Sequence, residues 1–222
     1  MRRVLSNHRA DLSTIASLAM FSRGLEPEFP EAVQKQLSRI SAAASDSDPG
    51  IRDLTGLPWC SIDNDDSRDL DQLTAIEPLA KGEVRVFVAV ADVDALVKKG
   101  TPIDGHARHN TTSVYTSARV FAMLPERLST DLTSLNPDAD RLALVSQMEF
   151  SDDGILVSSS IYRAVVRNKV QLAYDAVSAW IEGETDLPEA ARQLRGMNTQ
   201  LRPQDELAQK LRVLRRAPGS LE

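Results

Sequence analysis

The sequence VRVFVAVA at residues 84–91 decides the fold, because it is the clearest strand signal in the chain. Polar and apolar residues alternate at its start, and the run then becomes continuously apolar, as expected for a strand that is largely buried in a sheet. Lys81 and Gly82 lie just ahead of it and are typical of a turn. They join it to a second apolar run at residues 73–76, so the two runs predict a pair of adjacent strands.

Further strands are predicted on both sides of this pair. Residues 142–150 and 155–166 flank the tripeptide Asp-Asp-Gly at 152–154, a strong turn signal, and together they predict a β-hairpin. A short strand is expected at residues 59–63, and an extended segment at residues 120–124.

Helices are predicted before and after these strands. Residues 31–44, EAVQKQLSRISAAA, follow a proline and place apolar residues at helical spacing. We expect a short helix at residues 104–110 and further helices at 175–182 and 187–216, the last of them interrupted at Pro203. This order of strands and helices predicts an α+β fold with a mainly antiparallel sheet and flanking helices.

The hexapeptide SDSDPG at residues 45–50 combines small polar residues with proline and glycine, which break helices and strands. It marks the predicted domain boundary. The expected organisation is a helical N-terminal segment at residues 1–50 and a larger domain at residues 51–222.

The composition is that of an ordinary globular protein, with 42% hydrophobic and 26% charged residues among 222. No apolar run approaches the roughly 18–20 residues needed to cross a bilayer, and the N-terminus lacks the apolar segment of a secretory signal. The single cysteine, Cys60, cannot form an internal disulfide, which fits a reducing compartment. We therefore predict a cytoplasmic protein with no membrane partner.

The formal net charge of −6 and the isoelectric point near 5.2 argue against a nucleic-acid binder, which usually presents a basic face. The distribution of charge weakens that argument. Acidic residues concentrate at positions 61–72, whereas basic residues concentrate near the C-terminus: Arg192, Arg195, Arg202, Lys210, Arg212, Arg215 and Arg216. The net charge therefore does not exclude nucleic acid as a partner.

The stretch with the most chemical information is SIDNDDSRDLDQ at residues 61–72, hereafter the acidic segment. Two carboxylates about 5 Å apart repel by roughly 3 kcal/mol at an effective dielectric constant of about 20. A folded segment that gathers several of them therefore needs either full solvation or a bound cation, and hard divalent ions such as Mg²⁺ prefer oxygen ligands. From the residues alone, a solvated acidic turn and a metal site both remain open. The aspartates concerned are Asp63, Asp65, Asp66, Asp69 and Asp71.

The spacing excludes one kind of metal site, the EF-hand calcium loop. Counting from Asp63, the position that requires glycine holds Arg68, and the position that requires glutamate holds Thr74. The acidic segment is therefore not an EF-hand.

Five segments, in order, resemble the ribonuclease II/R (RNB) family. The first is the acidic segment. Its Ile62-Asp63 pair is followed after five residues by Asp69, and Asp71 follows after one more residue. The others are VAVADVDALVKKGTPID at 88–104, TSVYTSARVFAMLPERLSTDLTSLNPDADRLAL at 112–144, YRAVVRNKVQLAYDAV at 162–177 and LRRAPGSLE at 214–222. The resemblance covers residues 51–222, and five ordered motifs are far more specific than one aspartate cluster.

This resemblance implies an exoribonuclease, a hydrolase that degrades single-stranded RNA in the 3′→5′ direction to nucleoside 5′-monophosphates. The implied cofactor is Mg²⁺, for which Mn²⁺ can substitute, and no small-molecule cofactor is expected. In such chemistry one ion lowers the pKa of a bound water, and a second can stabilise the leaving 3′-oxygen.

The resemblance also implies roles for individual residues. Asp63, Asp69 and Asp71 occupy the first three positions of the family's four-aspartate signature, which holds Mg²⁺ around the scissile phosphate. Asp69 and Asp71 are the implied catalytic residues. The fourth position is a departure, because it holds Gln72, whose amide oxygen can bind Mg²⁺ but adds no negative charge. A second ion is therefore expected to bind more weakly.

Three further interpretations concern nearby polar residues. Asp65 and Asp66 are expected to be solvated charges. Tyr115 matches a family tyrosine that stacks on a base near the 3′ end of the RNA, and such stacking contributes roughly 1–3 kcal/mol per base for any base. An ordinary half-buried tyrosine is the alternative. Asp92, at the end of the apolar strand, is either a structural carboxylate, the favoured interpretation, or one that orients a metal ligand.

Histidines, tryptophans and the cysteine suggest no second site. His106 and His109 could share a helix face, but no cysteine or third histidine lies near them in sequence, so both are expected at the surface. Trp59 and Trp180 are expected in the core. Cys60 has no histidine close in sequence to act as its base, so it is not proposed as a nucleophile.

The family's catalytic domain is longer than this chain. Its C-terminal part, with a Thr-Ser-Pro-Ile-Arg-type segment, and its flanking cold-shock and S1-type barrels have no counterpart here. The domain at residues 51–222 is therefore expected to be incomplete at its C-terminus, weakly active or inactive alone, and apolar where the missing half would pack. The missing C-terminal half and Gln72 keep an alternative open. It is a non-catalytic RNA-binding or regulatory module with a decayed site.

Overall fold

The structure, a computed structural model, describes residues 2–216, with side chains from residue 12 onward. The Gly-Ser-Leu-Glu motif at 219–222 lies outside the described residues. Contacts divide the chain into two compact units. The first unit contains the residues up to Ala43 together with Val93–Leu132, and the second contains Ala44–Asp92 together with the residues from Thr133 onward.

Helices and strands are numbered here in chain order. The helices are α1 (Arg2–Ser22), α2 (Glu31–Leu37), α3 (Pro102–Asn110), α4 (Tyr174–Ile181), α5 (Glu189–Arg192) and α6 (Met197–Arg215). The strands are β1 (Arg52–Asp53), β2 (Cys60–Asp63), β3 (Gln72–Pro78), β4 (Val84–Ala91), β5 (Val114–Tyr115), β6 (Val120–Phe121), β7 (Asp140–Phe150), β8 (Leu156–Arg167) and β9 (Val170–Ala173). In the part of the chain that the structure describes, no helix is both long enough and apolar enough to span a membrane.

The second unit is built on a sheet with the strand order β1-β8-β7-β4-β3-β2-β9. Its neighbours are antiparallel except for β1 with β8 and β2 with β9, which are parallel. The predicted α+β class with a mainly antiparallel sheet is therefore confirmed. Both predicted turns carry residues with positive φ, namely Lys81 and Gly82 between β3 and β4, and Gly154 between β7 and β8. Glycine adopts this conformation without the steric cost that a side chain adds.

Two apolar clusters stabilise the second unit. Trp59, Leu73 and Phe87 belong to the first, and each is less than 5% exposed. The second lies between the β2–β9 end of the sheet and the C-terminal helices, and it includes Cys60 and Met197, both fully buried. Full burial of a large apolar side chain contributes roughly 1.5–3 kcal/mol relative to exposure. These clusters fix β2 and β3, which flank the acidic segment.

The predicted core position of Trp59 is confirmed, whereas Trp180 lies at the edge of its cluster. Trp180 is only partly buried, and the guanidinium of Arg202 lies 4.5 Å from the centroid of its ring. Elsewhere on the sheet, Val90, Leu144 and Ile161 are 47%, 47% and 69% exposed. Val90 pairs with Leu144 across β4 and β7, so these two exposed apolar side chains are neighbours on the sheet.

The first unit packs α2 against α3 around a small core that contains Val33, Ile103 and Leu128. His106 lies on the same buried face of α3 and is only 5% exposed, so the expectation of a surface position was wrong for this residue. Its Nδ1 lies 3.1 Å from Glu26 Oε2, which explains how the polar ring is tolerated inside. His109 is exposed, as expected.

Two helix predictions need correction. The helix expected at residues 31–44 ends at Leu37, because the following turn carries Ile40 back onto the apolar core of the first unit. The helix expected at 187–216 is two helices, and the interruption lies at Gly196, with φ 87°, rather than at Pro203, which lies inside α6. In both cases tertiary packing outweighs local helix propensity.

Candidate functional site

The acidic segment joins two adjacent antiparallel strands of the sheet. Strand β2 ends at Asp63, and β3 begins at Gln72, directly after Asp71. Cys60 pairs with Thr74, and the acidic segment connects the two strands on the far side of that pair, with Asp63 at the end of β2 and Asp71 just before β3. Strand pairing therefore brings these two carboxylates to the same edge of the sheet.

The carboxylate of Asp63 is held in place by the start of the loop that it precedes. Its Oδ1 accepts a hydrogen bond from the backbone N–H of Asn64 at 2.8 Å, and its Oδ2 accepts one from Ser67 Oγ at 2.9 Å. Each carboxylate oxygen has a further lone pair. Asp63 is therefore oriented by the protein and still able to accept a cation.

Asp71 lies among other negative charges. The backbone N–H of Ala91 donates to its carbonyl oxygen at 3.0 Å, which fixes its backbone beside the end of β4. Partial burial raises the pKa of the Asp71 carboxyl, and the carboxylates of Asp69 and Asp63 raise it further. The three aspartates thus share one electrostatic environment, in which a bound cation would relieve their mutual repulsion.

Leu70, between Asp69 and Asp71, fixes the middle of the segment. It is 2% exposed and packs in the core of the second unit. Its N–H donates to Ser134 Oγ at 3.0 Å, and its carbonyl oxygen accepts from the N–H of Leu135 at 2.9 Å. The acidic segment is therefore an ordered part of the fold and not a freely solvated turn.

A cavity of about 270 Å³ opens beside the segment, and Asp63, Asp71 and Gln72 contribute to its wall. Tyr174, at the first position of α4, lines it as well. Asp69 does not line this cavity, although its charge acts on Asp71. The structure thus brings together three of the four residues expected to bind metal and leaves Asp69 beside them.

The donor set can be tested against the chemistry of Mg²⁺. Among the side chains that the structure describes, no three His, Cys, Asp or Glu residues are gathered closely enough to hold a metal ion by themselves. Mg²⁺ usually takes only one or two carboxylates, together with waters and substrate phosphate. Asp63 and Asp71, with the amide oxygen of Gln72, match that requirement, whereas an all-protein cage is not formed.

The other residues singled out from the sequence fall outside this cavity. Asp65 and Asp66 are exposed, in agreement with solvated charges. Tyr115 belongs to the first unit, on β5, and is 70% exposed, so it is not half-buried. The assignment of Tyr115 to RNA stacking stays a prediction.

Sequence reasoning missed the residues that support the acidic segment. Ser134 contacts Leu70 from 64 positions away, and Gln171 Nε2 donates to the carbonyl oxygen of Ser67 at 2.9 Å from 104 positions away. Ser134 lies in the Ser-Leu-Asn-Pro stretch that carries part of the family resemblance. The resemblance marks this stretch as typical of the family but does not show that Ser134 supports the acidic segment. Gln171 likewise lies in the 162–177 segment that resembles the family, and there too the sequence does not show that the side chain supports the acidic segment.

Comparison with known proteins identifies relatives of this arrangement. The model of the RNB domain family matches residues 51–222. Ribonuclease R of Vibrio parahaemolyticus is 38% identical over 173 residues, which are 78% of this chain and 21% of that protein. Ribonuclease R of Escherichia coli is 39% identical over 162 residues, which are 72% of this chain and 20% of that protein. The chain therefore spans about a fifth of the length of these relatives.

A solved structure agrees with the sequence comparison. Mycoplasma genitalium RNase R in complex with double-stranded RNA superimposes with a TM-score of 0.80 and 26% sequence identity. The superposition covers 91% of this chain and 35% of that one. The fold described above, including the sheet that carries the acidic segment, is therefore also the fold of that part of the relative.

Proposed function

Because this chain belongs to the RNB domain family, we propose that it forms the metal-binding part of an exoribonuclease that hydrolyses single-stranded RNA in the 3′→5′ direction to nucleoside 5′-monophosphates. One observation supports the proposal most directly. Strand pairing and a buried leucine place Asp63 and Asp71 at one cavity, beside Gln72 and within electrostatic reach of Asp69. This is the donor chemistry that a phosphodiester hydrolase needs for Mg²⁺ or Mn²⁺.

In this proposal Asp63, Asp71 and Gln72 hold the divalent ion, and Asp69 adds negative charge beside them. When bound, such an ion supplies Lewis-acid polarisation of the phosphate and an activated water. The aspartates orient the ligands around the scissile phosphate, and the hydrogen bonds to Asp63 keep its carboxylate from rotating away. Asp69 and Asp71 are the proposed catalytic pair.

The proposed RNA contact outside the cavity is Tyr115. Its exposed ring can stack on a base without selecting the base, because every base has an aromatic face. A nuclease that removes nucleotides one at a time needs this tolerance. The proposed partner is therefore single-stranded RNA of any sequence, and the proposed location is the cytoplasm.

The test is a time course on 5′-labelled single-stranded RNA in Mg²⁺ or in EDTA. It compares the 222-residue chain with a version extended in frame at its C-terminus. Each of the two proteins is also compared with its own Asp71→Asn variant. The proposal expects a metal-dependent ladder that shortens from the 3′ end in the extended protein, and loss of this ladder in the variant.

A different result would favour the second candidate, a non-catalytic RNA-binding module. That candidate is suggested by Gln72, which leaves the site one negative charge short of the family's signature. Intact RNA with both folded proteins, together with retention of RNA on a filter, would support the binding module and contradict the nuclease.

A further inference from the structure

We propose that Ser134 is a positioning residue for the acidic segment. Through the backbone of Leu70 it fixes where Asp69 and Asp71 present their carboxylates to a divalent ion. The inference rests on the proposed function for the identity of the ligand, but the contacts that carry it belong to the fold itself. Ser134 would touch neither metal nor RNA, so its effect on the site is indirect.

Hydrogen bonds to one short segment fix the backbone of Leu70. Both backbone polar groups of this residue are bonded to the same short segment, the N–H to Ser134 Oγ at 3.0 Å and the carbonyl oxygen to the N–H of Leu135 at 2.9 Å. Asp69 and Asp71 are covalently bonded to Leu70 on either side. Any displacement of the Leu70 backbone therefore moves both carboxylates together.

Ser134 is itself immobilised. It is 2% exposed, and its Oγ lies 3.2 Å from the carbonyl oxygen of Arg68 and 2.9 Å from Asn136 Oδ1. Its own carbonyl oxygen accepts a hydrogen bond from Arg141 Nε at 3.1 Å. A hydroxyl held by several partners has little rotational freedom, so the acceptor that it offers to Leu70 has a defined position.

Buried hydrogen bonds connect the two ends of the acidic segment. Asn168, which is 1% exposed, donates from Nδ2 to the carbonyl oxygen of Leu135 at 3.0 Å and to Ser61 Oγ at 3.1 Å. Ser61 lies on β2, two residues before Asp63. A buried hydrogen-bond network of Ser134, Leu135 and Asn168 thus connects β2, which ends at Asp63, with Leu70, which precedes Asp71.

Loss of the Ser134 hydroxyl should therefore act on the site more than on the core. The N–H of Leu70 would remain buried without its acceptor, and the backbone would have to shift to find another. The side chain of Leu70 holds the segment in the core, so the shift would be absorbed by the flanking aspartates. Supporting residues of metal sites typically change metal affinity by about 10- to 100-fold when they are removed.

Three variants of the full chain test this. Ser134→Ala removes the hydroxyl, and Ser134→Thr keeps it. Phe150→Leu is the matched control, because Phe150 is 6% exposed in the same unit but lies at the far end of β7, paired with Val84. Phe150 lies six positions along β7 from Leu144, which is at the Gln72 end of the sheet, a distance of roughly 20 Å.

The readouts are Mn²⁺ binding by electron paramagnetic resonance, thermal melting, and hydrogen exchange of the Leu70 amide. We expect Ser134→Ala to raise the Kd for Mn²⁺ by about tenfold and to expose the Leu70 amide to exchange. Ser134→Thr should restore most of the affinity. Phe150→Leu should lower the Tm and leave the Kd for Mn²⁺ unchanged.

Two results would overturn the inference or its premise separately. Unchanged Mn²⁺ affinity in a folded Ser134→Ala, with the Leu70 amide still protected, would overturn the positioning role and leave the proposed function standing. Absence of Mn²⁺ binding by the unaltered chain would overturn the proposed function. Hydrogen exchange of the Leu70 amide in Ser134→Ala would then be the only measurement that tests whether Ser134 positions the segment. If the added methyl group of Ser134→Thr prevents folding, the comparison of Ser134→Ala with Phe150→Leu still decides the question.

Discussion

Asp92 Oδ2 accepts a hydrogen bond from Arg163 Nε at 2.8 Å, which links the end of β4 to β8 across the intervening β7. The Asp92 side chain is 11% exposed, and Arg163 also donates to Asp46 Oδ2 at 3.0 Å. Of the two interpretations that the sequence left open for Asp92, this pairing supports the structural one.

Replacing Asp92 should therefore reduce stability. We expect Asp92→Asn to lower the free energy of unfolding by about 1–2 kcal/mol, because a hydrogen bond to a charged partner is weakened in a largely buried position. Urea denaturation measures this. The control is Asp94→Asn, whose partner Lys98 forms an exposed pair at 3.2 Å and should contribute less than about 0.5 kcal/mol. Unchanged stability with weaker metal binding in Asp92→Asn would favour the metal-orienting role.

Asp71→Asn should separate catalysis from folding. In the proposed function Asp71 binds the divalent ion, and loss of a metal ligand removes several kcal/mol of transition-state stabilisation. The kcat of the C-terminally extended protein should therefore fall by at least about a hundredfold. The folded-state pKa of Asp71 is raised, so its charge costs stability above that pKa, and the neutral variant should melt at the same or a higher temperature in EDTA at pH 7. Asp66→Asn, an exposed neighbour, is the control for both measurements.

Gln72→Asp should restore the charge that the site lacks. A third carboxylate at this cavity should tighten Mn²⁺ binding by roughly tenfold, which corresponds to about 1.4 kcal/mol. The same change should lower the Tm in EDTA, because it adds repulsion toward Asp71 and Asp63. Calorimetric titration and melting curves measure the two effects. Tighter binding without any loss of metal-free stability would mean that residue 72 does not share the electrostatic environment of the other two.

The ion pair between Asp140 and Arg167 predicts a pH-dependent contribution to stability. Arg167 Nε and Nη2 donate to the two carboxylate oxygens at 2.6 and 2.9 Å, and this hydrogen bonding lowers the pKa of Asp140. The contribution is therefore complete above the unfolded-state pKa of about 3.9 and is lost as the pH falls through the lower folded-state value.

Asp140→Asn should accordingly destabilise the protein by about 0.5–1 kcal/mol at pH 7, because the pair is half exposed and screened by solvent. The difference from the unaltered protein should disappear well below pH 3.9. Urea denaturation at a series of pH values tests this. A difference that stayed constant down to acid pH would show that the lost contribution is packing and not charge.

The thiol of Cys60 should be inert in the folded protein. Burial raises its pKa to about 11, so almost no thiolate is present at pH 8, and the residue is fully buried. Reaction with Ellman's reagent should therefore be slow under native conditions and become stoichiometric in urea. Rapid reaction of the native protein would contradict the buried position.

Sequence patterns were sufficient to predict an element of the fold wherever the interactions that form it are local. The strand at Val84–Ala91 was predicted with the bounds that the structure gives, because valine and phenylalanine favour extended backbone. The expectation that it is largely buried was wrong, since only Phe87 and Ala89 are buried and Val90 is 47% exposed. The turn at Gly154 was also predicted, because its conformation depends on its own φ. Asp63 and Asp71 lie eight residues apart, so any tight connection between two strands brings them near each other.

Only the tertiary structure decided which distant residues support the candidate site and which side chains are buried. Ser134 and Gln171 reach the acidic segment from 64 and 104 positions away, and such contacts depend on strand order and not on the residues nearby. His106 is buried for the same reason, because Glu26, 80 positions earlier, supplies its partner. The physical cause is common to all three: local propensities differ by less than about 1 kcal/mol per residue, whereas burial and satisfied hydrogen bonds across the whole fold select the final arrangement.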